Sequence, residues 1–73
     1  MTFLTHGRAA ELRAIYRLWD IWESDFGRWW AMRPGLVTPA QRNNGAVATV
    51  DADDLDHLAE LIKAQEEIRA AAR

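Results

Sequence analysis

Few of the 73 residues are of a type and spacing that do chemistry, and His57 is the first to weigh. If the chain around it is helical, Asp53 lies four residues before it and Glu60 three after, so two carboxylates and an imidazole share one face and are able to hold a divalent ion. A helix rich in Asp and Glu produces that spacing by composition alone. His57 therefore reads as a solvated histidine, and no metal is assigned. There is no cysteine, hence neither a disulfide framework nor a thiolate zinc site. No nucleophile stands with a base, no carboxylate pair sits in an apolar setting, and Asn43-Asn44-Gly45-Ala46 signals a turn rather than a phosphate loop. The expectation is a protein that is not an enzyme and takes no cofactor.

Two other groups of residues invite a binding role. The first is aromatic: four tryptophans and two phenylalanines, all but Phe3 falling between Trp19 and Trp30. Trp19, Trp22 and Phe26 suit a core by their helical spacing and, because that core exceeds what the chain can cover, are read as partner-binding together with the residues that follow. Trp29, Trp30, Met32 and Arg33 form the preferred contact patch, because Trp, Met and Arg are enriched at interface cores. The second group is acidic: Asp51, Asp53, Asp54, Asp56 and Glu60, able to occupy a basic nucleic-acid-binding surface on another protein, though acids in a first helical turn are also what the helix dipole selects. Arg8, Arg13, Arg17 and Arg28 interleave with aromatics, but Glu11, Asp20, Glu23 and Asp25 lie among them. Direct nucleic-acid binding is not expected from a chain of net charge −2.

The elements that must position these groups read as helical. Leu12, Ile15, Trp19, Trp22, Phe26 and Trp29 follow steps of three and four, one stripe of a helix spanning about residues 8–32 and capped by Thr5. Gly27 inside it suggests a kink. Arg33-Pro34-Gly35 ends the helix, and Thr38-Pro39-Ala40-Gln41 is a capping-box start for a short helical turn at 39–43. Ala46 to Val50 is an extended piece, one short strand at most. Asp51 reads as the cap of a last helix over 52–70, with Leu55 stapled onto Val50 and Leu55, Leu58, Leu61, Ile62 and Ile68 as its apolar face.

These elements predict one all-α domain over 1–73, a small helical hairpin or bundle with a long aromatic-faced first helix. Charge divides it: six Arg against four acids through residue 45, then three bases against seven acids. The last helix offers too few aliphatic residues to cover the aromatic stripe, which predicts a homodimer or a protein partner and hence a self-associating interaction module. A second expectation is a small inhibitor or adaptor, of phage or bacterial origin by its Ala and Arg content, acting through the acidic helix. No apolar run approaches the ~20 residues a bilayer span needs, so no membrane association is expected, and the lack of cysteine suits a cytoplasmic location.

Overall fold

A computed structural model of the protein describes the backbone of residues 2–71 and the side chains of residues 7–71. The chain runs α1 (Thr2–Ile15), β1 (Asp20–Glu23), β2 (Trp29–Met32), α2 (Pro39–Asn43), β3 (Thr49–Ala52) and α3 (Leu55–Ala71). The strands form an antiparallel sheet in the order β1-β2-β3, with Ile21, Ala31 and Val50 in one cross-strand row and Trp22, Trp30 and Asp51 in the next. The fold is thus mixed α and β, and the expected all-α bundle with its helix over 8–32 is overturned. That segment divides into the end of α1, a turn at Tyr16–Trp19 and the β1–β2 hairpin, while Thr5 lies inside α1.

The reason is local as well as tertiary. Trp19 and Ile21 point inward while Asp20 and Trp22 point outward, and Trp29 and Ala31 are buried while Trp30 and Met32 are not. This alternation, in aromatic and β-branched residues, is that of a half-buried strand. Ser24 to Arg28 then closes the hairpin. The Ser24 N–H donates to Arg28 O at 2.8 Å, the Gly27 N–H donates to Ser24 O at 3.0 Å, and Gly27 takes φ +76°. Such a turn needs a left-handed residue at its third loop position, which makes Gly27 a hairpin residue rather than a helix kink.

Both long helices lie on one face of the sheet. Ala9 and Leu12 of α1 and Leu55, Leu58 and Ile62 of α3 pack with Trp19 onto Ile21, Trp29, Ala31, Val50 and Ala52. Burying each large aliphatic side chain contributes about 1.5–3 kcal/mol, so this inner layer is the main source of stability. The small residues Ala31 and Ala52 in the sheet let the helices approach closely. At the free edge of β1, the Arg13 guanidinium donates twice to the Ile21 carbonyl, at 3.1 and 2.8 Å, and so blocks a backbone acceptor that would otherwise face water or another strand.

The connection from β2 to β3 contains α2, where Thr38 Oγ1 accepts from the Gln41 N–H and Gln41 Oε1 accepts from the Thr38 N–H, both at 3.1 Å. Asp51 does not cap the last helix. It belongs to β3, and α3 begins three residues beyond the expected start, with Asp54 Oδ1 accepting the His57 N–H at 2.7 Å. The buried stripe of α3 is Leu55, Leu58, Ile62, Gln65 and Arg69, so its second half is polar where Ile68 was expected to be the inward residue.

Candidate interaction surface

Gln65 and Arg69 explain their own burial. Gln65 Oε1 accepts the Val47 N–H at 2.8 Å and Arg69 Nη2 donates to Val47 O at 3.0 Å, so two side chains of α3 satisfy both backbone groups of the residue leading into β3. Arg69 also lies over the Trp19 ring, 5.9 Å from its centroid, while the Trp19 indole N–H donates to Glu66 Oε1 at 2.6 Å. Burial pushes the Arg69 pKa down, as does the neighbouring Arg33, with Glu66 opposing. Arg33 faces this cluster, its guanidinium 3.6 Å from Glu66, and is therefore placed apart from the outer face of the sheet.

The aromatic residues are sorted by the sheet. Trp19 and Trp29 are core residues, 3% and 5% exposed. Trp22 and Trp30 project from the face opposite the helices, their rings stacked with centroids 6.4 Å apart and planes 9° from parallel. Trp22 is 40% exposed, and Met32, in the adjoining row of the same face, 39%. Phe26 at the hairpin tip and Leu36 beyond β2 are almost wholly in solvent, at 98% and 95%. Of the seven residues read as partner-binding, Trp22, Trp30 and Met32 share one surface with Phe26 at its end, whereas Trp19, Trp29 and Arg33 do not belong to it.

This placement corrects the area argument made from the sequence. The aromatic stripe that one helix could not cover does not exist, because a strand divides its rings between an inner face that α1 and α3 enclose and an outer face that α1 meets at the β1 edge, where Ala9 and Arg13 line a hollow with Trp22. A four-helix bundle of two hairpins is excluded with it.

The acidic residues are engaged locally. Arg28 meets Asp51 at 2.5 Å and also Asp53, and hydrogen bonding to Asp51 above all holds the Arg28 pKa above its ordinary value. Asp54 caps α3, and Asp56 stands 3.5 Å from Arg8. Glu60 makes no ion pair among the described residues. Asp53 precedes α3 and belongs to Arg28, so the helical face that would join it to His57 and Glu60 is not formed. Among the described residues, no three or more His, Asp or Glu side chains group as metal ligands do. A hollow of about 350 Å³ is lined by Ile15, Tyr16, Arg17, Leu18, Trp19 and Glu66, but the Glu66 carboxylate in it already accepts from Trp19.

The polar clamp at Gln65 and Arg69 escaped the sequence reading, although a signal existed: these two residues continue the three-and-four spacing of Leu55, Leu58 and Ile62. No family model, curated protein or solved structure matches this chain. Among the described residues, no helix is long and apolar enough to cross a membrane.

Proposed function

We propose that the protein is a non-enzymatic protein-interaction module whose contact surface is the outer face of the sheet, centred on Trp22, Trp30 and Met32. The observation that carries this reading is the stacked Trp22–Trp30 pair on a face that neither long helix covers. Large aromatic side chains with an exposed flank supply much contact area at little cost in conformational entropy, and Trp and Met are enriched at the centres of protein interfaces. The sheet fixes their backbone, so the surface is preorganised. A cytoplasmic setting is part of the same proposal and rests on the cysteine-free composition alone.

The alternative of an acidic helix that blocks a basic surface has less free charge than the sequence suggests, since Asp51 and Asp53 share Arg28, Asp54 is a cap and Asp56 lies by Arg8. The test is affinity capture from the native host with the wild type and a Trp22→Thr/Trp30→Thr double variant, whose folding is first checked by circular dichroism. Proteins, or further copies of the chain, held by the wild type and lost by the variant are expected. Identical retained sets would overturn the proposal.

A further inference from the structure

Resting on that reading, we infer that the outer face takes an extended, cationic segment of another protein, whose arginine side chains lie against Trp22 and Trp30. Charge is the first argument. Asp20 and Asp51 occupy this face beside the tryptophans, Asp53 adjoins Asp51 through their shared Arg28, and Asp25 flanks Phe26 in the hairpin loop. Asp20 and Asp25 make no ion pair among the described residues. With Glu23 and Arg13, which line a hollow with Trp22 at the β1 edge, five carboxylates against two guanidinium groups leave the strip with a net charge of −3, although the first 45 residues as a whole carry more bases than acids.

Geometry is the second argument. The Trp22–Trp30–Asp51 row and the Asp20–Met32–Thr49 row are two residues apart along the strands, a spacing of about 7 Å. An extended peptide repeats its side chains on one side at the same interval. Residues of one such segment can therefore meet the tryptophan row with a guanidinium and the Met32 row with an aliphatic group. A planar guanidinium stacks on an indole face and is more weakly hydrated than an ammonium, so arginine suits a site that joins aromatic rings to nearby carboxylates.

The same charge argues against two other occupants. A second copy would bring two faces of like sign together, and a nucleic acid would set its phosphates against Asp20, Asp25 and Asp51. The test uses the full chain, a blocked peptide of alternating Arg and Val, its counterpart of alternating Glu and Val, and an oligothymidylate, each titrated while the four indole ¹⁵N–¹H resonances are followed. The Arg peptide is expected to shift Trp22 and Trp30 and leave Trp19 and Trp29 in place. Its affinity should fall about tenfold between about 50 and 500 mM salt, and about fivefold in an Asp20→Asn/Asp25→Asn variant. Equal or tighter engagement of Trp22 and Trp30 by the Glu peptide or a second copy overturns the cationic occupant and leaves the contact-face proposal standing, whereas equal or tighter engagement by the oligothymidylate overturns both. If no probe and no self-association touches the two rings at millimolar concentration, both fall.

Discussion

Arg69 shows how a single side chain can be structural and costly at once. It is buried, its Nε has no hydrogen-bond partner among the described residues, and its contacts include the Val47 carbonyl and the face of Trp19. A base whose pKa is lower in the fold than in the unfolded chain weakens the fold wherever it is charged in both. That cost is present while the group is charged in both states, and stability is regained as pH rises past the lowered pKa. What Arg69 contributes is therefore mainly its long stem packed on Trp19 and its bond to Val47. Arg69→Met keeps the stem and removes the buried charge, so chemical denaturation should find it within about 1 kcal/mol of the wild type, with Arg69→Ala losing about 2 kcal/mol. Equal losses in both variants would show that the guanidinium head, with its bond to Val47 and its place over Trp19, stabilises the fold and that the stem does not.

At the scale of elements, the β1–β2 hairpin decides the architecture. Gly27 takes a left-handed φ of +76°, and a Cβ there would meet only Glu23 Oε2 at 3.9 Å, so space is available and the conformation alone is the obstacle. Gly27→Ala should therefore lower stability by about 1 kcal/mol, and Gly27→Asn by less, in urea titrations. A cost of zero for alanine would contradict the hairpin and favour a helix through this point. The capping box at Thr38 was legible because it is a local signal: four residues specify it. The hairpin was hidden by an ambiguity of period. A step of three residues keeps two side chains on one side of a helix but sends them to opposite sides of a strand, so Trp19 and Trp22 look like neighbours in one reading and are separated in the other. The signs that favour the strand are the Asp25-Phe26-Gly27 loop and the run of Trp and Ile on either side of it. The cap of α3 shifted for a related reason, since four aspartates between residues 51 and 56 offer several starts and only pairing of β3 with β2 removes Asp51 from the helix.

For the whole molecule, the consequence is a layered domain with one face of its sheet enclosed by two helices and the other left with its aromatic residues in partial contact with water. The composition had already made an interaction surface the natural expectation, but it could not locate one, because surface and core draw on the same tryptophans. Sheet register assigns them: Trp29 inward with Ala52, and Trp30 outward with Asp51. Charge then gives the outer face its character, with Arg28 committed to Asp51 and Asp53 while Asp20 and Asp25 stand free of ion pairs among the described residues. A contact face on the outer side of the sheet requires this division of the rings. Its most direct test is an indole ¹⁵N–¹H spectrum of the dilute chain titrated with a soluble gadolinium chelate. Signals from the Trp22 and Trp30 rings should broaden while those of Trp19 and Trp29 persist. Equal protection of all four, or preferential broadening of Trp19 or Trp29, would contradict it.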